Sequence, residues 1–580
     1  MKRFLVFLLV GVSMLITSSC NIDDVITTAL PPEIVLDSET GIYTVKQGRE
    51  VVIAPSYKSA EGATYAWSMQ GAILSTAPSL RFSSDQVGEY FITITITTEG
   101  GTDEEEIRVD VLALEVPTVT IAGSERQTVA IGTTIELMAS VRDSSLETTL
   151  SWSVNGEAVG SGDSYTFSAE AVGEYTIAAT ATNEDGTHSD SVVIKVLNPE
   201  DMPFVWDFAS EQYHTVVGRK LLISPSATSE EDGVTYHWMQ VGREEPIGSD
   251  AHLIFTTESA GEYKIIGTAT TEKQGEKVVL SREFAVTVYE SGAFYRKMSG
   301  DSKAEWNRVY DFTPAPGQFV GEIKQDDYTG DETTPEAAVA YAERRLSKEL
   351  YVSLGGFGGY IIVGFDHSID NSGDYDLGIL GNSFNGSSEP GIVWVMQDEN
   401  GNGLPDDTWY ELAGSETGKE ETIQNYAVTY YRPSAPQMPV QWTDNQGNSG
   451  SIDYLKPYHW QEYYYPQWIK EDSYTLTGTC LKARNYDASG KGVYWVNPHY
   501  DWGYADNWSP IDRLTGDANA DASANANYFK ISNAIDFEGQ SIDLKYIDFV
   551  KVQVAVNAKS GWLGEISTEV FGFFDYNMRK

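Results

Sequence analysis

Apolar and polar residues alternate strictly along much of the first 290 positions, as in the run from Phe91 to Ile96. Such alternation between turn residues predicts β-strands with one buried face and one solvated face. The pattern repeats, because Trp67, Trp152 and Trp238 lie 85 to 86 residues apart and each is followed 21 to 23 residues later by Gly-Glu-Tyr. We therefore predict three copies of one immunoglobulin-like β-sandwich, over residues 31–115, 116–198 and 200–290.

Residues 291–580 have a different character and are predicted to form a separate domain. The runs 360–365, 391–396 and 546–552 are continuously apolar, which is typical of strands buried on both faces. Thr334-Pro335-Glu336 supplies an N-cap, a proline in the first turn and an early acid, and so predicts the start of one short helix. We expect a mostly β fold, with a jelly-roll-like sandwich that carries this helix and aromatic loop insertions.

The chain begins with Lys2 and Arg3, a 13-residue apolar run from Phe4 to Ile16, and the segment Thr17-Ser18-Ser19-Cys20. This order matches a secretory signal, and the apolar run is too short to cross a bilayer core of ~30 Å. We predict a signal peptide over 1–19, lipidation of Cys20 and a tether over 20–30. A retained membrane helix is the alternative.

The net charge of −46 argues against nucleic acid or an anionic membrane as a partner for the body of the protein. The chain contains two cysteines. Because Cys20 is assigned to lipid, Cys480 has no intramolecular partner, and no disulfide framework is expected. Cys480 is interpreted as a small buried hydrophobic residue.

The segment from Asp398 to Asp407 places oxygen side chains at positions 1, 3, 5 and 9 and a glycine at position 6, as in calcium loops of the EF-hand type. The usual glutamate at position 12 is replaced by Trp409, so the two late aspartates have to compensate. The alternative is an ordinary turn without an ion. The predicted ligands of a structural calcium ion are Asp398, Asn400, Asn402, the Leu404 carbonyl, Asp406 and Asp407.

Sixteen Trp or Tyr residues and no Phe lie between Trp442 and Trp508. These side chains combine flat apolar area with a hydrogen-bonding edge, which suits sugars, corrin-like macrocycles and protein surfaces. Packing of a loop-rich layer is the equally weighted alternative. The predicted ligand contacts are Trp460, Tyr463, Tyr464, Trp468, Trp495, Tyr500, Trp502 and Trp508.

The three repeats resemble PKD-like domains in their central Trp and their Gly-x-Tyr, although the Trp-Asp-Phe-Gly-Asp-Gly loop of typical PKD domains is absent. Asn21-Ile22-Asp23-Asp24 resembles the signal that exports lipoproteins of the Bacteroidota to the cell surface. The last domain resembles the C-terminal domain of PKD-like surface lipoproteins of the same phylum. The resemblance of the last domain rests on the segments 354–359, 364–369, 381–384, 389–393, 398–407, 409–415 and 564–569.

The resemblance implies a non-catalytic lipoprotein, exposed on the outer membrane, that captures cobalamin or another corrinoid for a TonB-dependent transporter. A glycan-binding lipoprotein of a polysaccharide-uptake system is the alternative, and adhesion or scaffolding is a further one. A surface hydrolase is not excluded by a chain with 85 acidic residues, because the separation of two carboxyl groups cannot be read from sequence.

Overall fold

The computed structural model describes residues 29–123, 125–229, 233–273, 275–322, 328–457, 459, 461–515 and 525–580. The predicted signal segment 1–19, the lipidation site Cys20 and the predicted ligand contact Trp460 lie outside these residues. The chain forms two compact units, one of residues up to 127 together with 134–196, the other of residues 128–133 together with 197–580. Within the described ranges, no helix is long and apolar enough to cross a membrane.

The first sandwich has a larger sheet in the order β2-β9-β8-β5-β6, in which β2 runs parallel to β9. Two further pairs, β1-β4 and β3-β7, accompany it. Trp67 is fully buried and its indole Nε1 donates to the Ala77 carbonyl at 3.0 Å. The strands are β1 Glu33–Val35, β2 Ile42–Lys46, β3 Val51–Ile53, β4 Ser56–Lys58, β5 Thr64–Met69, β6 Ala72–Ser75, β7 Leu80–Phe82, β8 Gly88–Thr98 and β9 Gly101–Leu112.

The second sandwich repeats this plan with the strand orders β14-β13-β16-β17 and β10-β12-β15. Trp152 is buried, and its Nε1 donates to the Gly162 carbonyl at 2.9 Å. The strands are β10 Thr118–Ile121, β11 Arg126–Ala130, β12 Thr134–Arg142, β13 Thr149–Val154, β14 Glu157–Ser161, β15 Ser164–Ser168, β16 Gly173–Asn183 and β17 Gly186–Leu197.

The third sandwich belongs to the second unit and carries the strand order β19-β25-β24-β22, with β19 parallel to β25. Two tryptophans, Trp206 and Trp238, are fully buried in its core. The strands are β18 Trp206–Asp207, β19 Gln212–Val216, β20 Leu221–Ile223, β21 Ala227–Thr228, β22 Thr235–Gln240, β23 Leu253–Phe255, β24 Gly261–Lys273 and β25 Glu276–Tyr289.

The recurrent Gly-Glu-Tyr has a structural cause, because its tyrosine closes a corner of each sandwich. Each hydroxyl donates to the backbone carbonyl four residues earlier: Tyr90 to Gln86 at 2.8 Å, Tyr175 to Ala171 at 2.9 Å and Tyr263 to Ser259 at 2.8 Å. A tyrosine at this position thus gives a backbone carbonyl a hydrogen-bond donor. The repeat is therefore explained by packing.

The described residues of the last domain contain one α-helix, α1 Pro335–Leu346, among many strands. The strands are β26 Arg308–Thr313, β27 Val352–Ser353, β28 Tyr360–Asp370, β29 Leu377–Gly381, β30 Gly391–Met396, β31 Trp409–Leu412, β32 Ile423–Tyr431, β33 Val440–Asp444, β34 Ser449–Ile452, β35 Ser473–Cys480, β36 Tyr486–Asp487, β37 Trp495–Val496, β38 Asn525–Phe529, β39 Ala534–Ile535, β40 Tyr546–Val554, β41 Glu569–Val570 and β42 Gly572–Asp575. Short 3-10 helices span Pro199–Asp201, Ile531–Asn533 and Gly561–Leu563.

A six-stranded antiparallel sheet in the order β26-β28-β40-β30-β31-β39 is the centre of this domain, and a three-stranded sheet β38-β29-β42 shares its core. The helix begins as predicted: Thr334 Oγ1 accepts from the Ala337 backbone N–H at 3.3 Å, and Ala338, Ala342 and Leu346 are buried. The predicted fold class, tandem immunoglobulin-like sandwiches followed by a larger β domain with one short helix, is confirmed.

The aromatic region inserted into this domain forms its own four-stranded sheet, β34-β33-β32-β35. Its core includes the buried tyrosines Tyr426, Tyr430, Tyr464 and Tyr465 and the buried free thiol of Cys480. Burial raises the pKa of the Cys480 thiol to about 12, so the side chain is a neutral packing group at physiological pH.

Substitution of Gly267 by alanine tests how tightly the third sandwich is packed. The new Cβ would lie 2.8 Å from both the Trp206 and the Trp238 rings, and overpacking of this kind costs about 1 to 3 kcal/mol. We expect calorimetry to show a lower melting temperature for the second unit. Gly300→Ala is the control, because nothing lies within 4 Å of a Cβ there, and equal melting of both variants would contradict the assignment.

Candidate functional site

The predicted calcium loop is the turn of a hairpin in the central sheet. Strands β30 and β31 pair antiparallel, with Met396 opposite Trp409 and Trp394 opposite Glu411. Residues directly opposite each other, or two apart along a strand, share one face of a sheet. These four side chains therefore project from the same face. The loop joins the two strands that carry Trp394 and Trp409.

The loop is wound around its own side chains. Asp398 is buried, and its two carboxylate oxygens accept from the backbone N–H groups of Gly401 at 2.8 Å and Gly403 at 3.0 Å. Asn400 and Asn402 each accept from the backbone N–H two residues later, at 2.9 and 2.7 Å. Gly403 has a φ of +73°, a conformation that favours glycine and permits the sharp bend.

The late aspartates close onto the same centre. The Asn400 amide donates to Asp406 Oδ1 and to Asp407 Oδ1, both at 3.1 Å, and the Asn402 amide donates to Asp406 Oδ2 at 2.8 Å. Leu404 lies at the exposed tip of the loop. Burial, and then the neighbouring charge of Glu399, raise the pKa of Asp407 to about 7. Carboxylate and amide oxygens are the ligand types that a hard divalent cation prefers.

A row of side chains crosses the central sheet at the level of Trp394. The strand registers align Asp311 of β26, Ile362 of β28, Lys551 of β40, Trp394 of β30 and Glu411 of β31. The tryptophan ring thus lies between a lysine and a glutamate on one face of the sheet. This order brings together a cation, an aromatic surface and a carboxylate.

A cavity of about 650 Å³ lies over this part of the face, and we call it the tryptophan cleft. A volume of this size is ordinary for a small-molecule site. Its aromatic walls are Trp394, Trp409, Tyr410 and Phe537. The remaining lining residues are Leu221, Leu222, Thr408, Glu411, Thr417, Gly418, Lys419, Thr422, Gln424, Asn425, Ile535, Asp536, Glu538 and Gly539.

One wall of the tryptophan cleft comes from the third sandwich, through Leu221 and Leu222 of β20. Next to this wall, the Arg219 guanidinium pairs with Glu399 at 2.5 Å, and the two side chains are only 10% and 0% exposed. Lys220 also pairs with Glu538. A buried ion pair is costly to break, because either partner alone would remain as an uncompensated buried charge.

Burial shifts the pKa values of two ionisable groups next to the tryptophans. The Lys551 ammonium lies 4.8 Å from the centre of the Trp394 ring and 5.0 Å from that of Trp409, and burial lowers its pKa to about 8. Burial raises the pKa of Glu411 to about 7, while the Thr479 hydroxyl donates to its carboxylate at 2.5 Å. Both groups thus change charge near physiological pH, which is common at functional sites.

The cleft also has an unused hydrogen-bond donor. Among the described residues, the buried Trp394 indole N–H has no acceptor. Gln424 and Asn425 add amide groups to the lining. Two aromatic faces surrounded by a few polar groups can bind a ligand that has an apolar face and a polar edge.

The predicted aromatic contacts differ in their exposure to solvent. Four of them, Tyr464, Trp468, Tyr500 and Trp508, are buried with at most 7% exposure. The hydroxyl groups of the two tyrosines form internal bonds: Tyr464 donates to the His459 carbonyl at 3.0 Å and Tyr500 to the Lys482 carbonyl at 2.8 Å. These four side chains are packing residues in this structure, and their role as ligand contacts stays a prediction.

The other described candidates, Tyr463, Trp495 and Trp502, are partly exposed but do not line the tryptophan cleft. Trp502 lines a separate cavity of about 300 Å³. The sequence reasoning did not single out Trp394 and Trp409, which line the tryptophan cleft. A signal for both was present, since each is a tryptophan on a short apolar strand that borders the predicted calcium loop.

Comparison with known proteins identifies the first two sandwiches. The chain carries a PKD-like domain, matched over residues 31–98, and a PKD domain, matched over residues 118–196. None of the curated proteins matches the chain.

Several solved structures resemble the tandem sandwiches. The three N-terminal domains of the highly immunogenic outer capsid protein of bacteriophage RB49 are 16% identical, with a TM-score of 0.22 over 45% of this chain and 99% of that one. Mouse cadherin-23 EC22-24 is 18% identical, with a TM-score of 0.20 over 45% and 99%. The fibronectin(III)-like modules of Clostridium thermocellum CbhA are 21% identical, with a TM-score of 0.18 over 29% and 96%.

Replacement of Lys551 by methionine tests the burial of its charge. The pKa of Lys551 is lowered to about 8 in the folded chain from an ordinary 10.5, so between these values the unfolded chain holds a proton that the folded chain does not. Wild-type stability should therefore rise with pH across this window. We expect the stability of Lys551→Met relative to wild type to fall by on the order of 3 kcal/mol between pH 7 and pH 10.5.

Chemical unfolding at a series of pH values measures this difference. Lys545→Met is the control, because Lys545 is exposed with 69% of its side chain accessible. Parallel stability profiles for wild type and Lys551→Met would contradict a buried, destabilised ammonium beside the Trp394 and Trp409 rings.

Proposed function

We propose that this chain is a cell-surface lipoprotein that captures a small ligand in the tryptophan cleft and passes it to a TonB-dependent transporter. The single observation that carries the proposal is the cleft itself, in which Trp394 and Trp409 flank a cavity of about 650 Å³ next to Glu411. The groups present serve stacking and hydrogen bonding, and we assign no catalytic role to them. The protein is anchored by a lipid on Cys20 to the outer membrane.

A corrinoid such as cobalamin is the ligand that we propose first. It is a broad macrocycle fringed by amides, so one of its faces can lie on aromatic rings while its edge forms hydrogen bonds. Glu411, Gln424 and Asn425 offer acceptors for amide N–H groups, and the Trp394 indole offers a donor for an amide carbonyl. The resemblance of the last domain to surface lipoproteins of uptake systems agrees with this choice.

A glycan is the second candidate, favoured by a specific observation. Two tryptophans with an adjacent carboxylate form a platform on which a sugar ring can stack while its hydroxyl groups donate to Glu411. The same cleft would serve both ligands, so the two proposals differ in the ligand and not in the site.

We also propose that the loop from Asp398 to Asp407 holds a structural calcium ion. The side chains of Asp398, Asn400, Asn402, Asp406 and Asp407 and the Leu404 carbonyl would be its ligands. The ion would brace the hairpin that carries Trp394 and Trp409, because the loop joins their two strands. Calcium would thus act on ligand capture through the shape of the cleft.

The first experiment is isothermal titration of cyanocobalamin into the full chain. We expect a 1:1 complex, and Trp394→Ala and Trp409→Ala should each weaken it about tenfold or more, since a central aromatic contact is worth about 2 kcal/mol. Trp562→Ala is the control, because Trp562 is 42% exposed and lies outside the cleft. No heat with cyanocobalamin, followed by binding on a glycan array that depends on Trp394, would replace the corrinoid with a glycan.

Calcium titration tests the loop. We expect wild type to bind calcium through the loop with a Kd between about 10⁻⁷ and 10⁻⁴ M, and Asp406→Ala to lose one site. Asp406 is exposed and touches only loop side chains, so its removal leaves the core intact. Asp543→Ala, at another exposed aspartate, is the control. The same number of sites in Asp406→Ala and wild type would contradict calcium binding by the loop.

A further inference from the structure

Three carboxyl groups meet inside the last domain, away from the tryptophan cleft. Carboxylate oxygens of Glu389, Asp506 and Glu569 all lie within 4.8 Å of one another. Asp506 is fully buried and Glu569 is 5% exposed, whereas Glu389 is partly accessible. The residues come from separate parts of the chain, so their meeting is a product of the fold.

The fold fixes the position of Asp506 from both sides. One of its oxygens accepts from the Asn382 backbone N–H at 2.9 Å, and the other accepts from the Glu569 backbone N–H at 3.0 Å. A carboxylate has about four acceptor positions, so Asp506 keeps capacity to bind a ligand. The Glu389 and Glu569 carboxyl groups then lie beside it, and we call these three residues the carboxylate cluster.

The carboxylate cluster opens into a cavity of about 400 Å³ that Glu389 and Glu569 line. A fourth acid, Glu565, lines the same cavity and is 5% exposed. Its Oε1 accepts from the Gln318 backbone N–H at 2.7 Å, but its buried Oε2 has no hydrogen-bond partner in the described chain. A buried acceptor without a partner is costly unless something in the cavity occupies it.

Positive charge is missing around these acids. In the ranges that the structure describes, no lysine or arginine forms an ion pair with Glu389, Asp506, Glu565 or Glu569. His459 lines the cavity, but its Nδ1 lies 3.1 Å from the Glu322 carboxylate. The described part of the chain therefore brings these acids together without a lysine or arginine that pairs with them.

We infer that the carboxylate cluster binds a divalent cation of the calcium class. Glu389, Asp506 and Glu569 supply the charged ligands, and the cavity offers further oxygens from Glu565 and the Asn382 side chain. Hard oxygen ligands favour Ca²⁺ or Mg²⁺ over zinc, and a ligand set with several carboxylates favours Ca²⁺. This site is independent of the calcium loop and of ligand capture in the tryptophan cleft.

A cation here would join three segments that are distant in sequence. Glu389 lies just before β30, Asp506 lies in the loop before β38, and Glu569 begins β41. One ion bound to all three acids would therefore close the long chain segments that separate them in sequence. Closing long segments stabilises a folded chain, and the ion would also remove the repulsion between the acids. The coordination positions that face the cavity would remain open to water or to an oxygen of a ligand.

Calcium titration of the full chain in the Asp406→Ala background tests the inference. This background removes the loop as a calcium site, so any remaining stoichiometric binding belongs elsewhere. We expect one site in Asp406→Ala and none after addition of Glu569→Gln. Asp406→Ala with Glu416→Gln is the matched control, because Glu416 is a buried glutamate that pairs with Lys419 and Arg484, and it should keep the site.

Folding of each variant is checked by circular dichroism and melting in EDTA. Should Glu569→Gln not fold, Glu389→Gln replaces it, because Glu389 is partly accessible at the cavity. The inference is overturned if the folded double variant still binds one calcium ion, or if Asp406→Ala alone binds none. A result in which wild type binds a single ion that only Glu569→Gln removes would support the carboxylate cluster and reject the loop.

Discussion

Charged groups buried without a full set of opposite charges constrain the last domain more than any other interaction. A lone ionised carboxylate or ammonium in a protein interior is costly, so the group is paired, shifts its pKa or binds an ion. Arg219 and Glu399 follow the first route and Lys551 follows the second, with a pKa lowered to about 8. The tryptophan cleft and the carboxylate cluster are both places where the protein alone does not complete this balance.

The sandwiches could be predicted because their signals are local. A core tryptophan, a corner tyrosine and alternating strands all lie within about 85 residues, so three copies make the pattern visible. The helix could also be predicted, since Thr334 caps it directly. The topology of the large sheet could not, because β28 pairs with β40 across almost 200 residues and no local pattern encodes such a partner.

The candidate sites also differ in whether their residues are close together in the sequence. All the predicted ligands of the calcium loop lie within ten residues, so spacing alone was enough to predict them. The aromatic contacts stay a prediction, because hydroxyl groups such as that of Tyr464 bond to backbone carbonyls and sequence does not display those partners. The carboxylate cluster unites Glu389, Asp506 and Glu569 from distant segments, so only the fold could reveal it.

Leu221 and Leu222 of the third sandwich form one wall of the tryptophan cleft, so this sandwich is more than a spacer. Repeated sandwiches are usually regarded as interchangeable spacers that recombination can add or delete. Here the third copy belongs to the same compact unit as the last domain, and the boundary between the two units lies near residue 197. The third copy would therefore have to be inherited together with the domain whose cavity it completes.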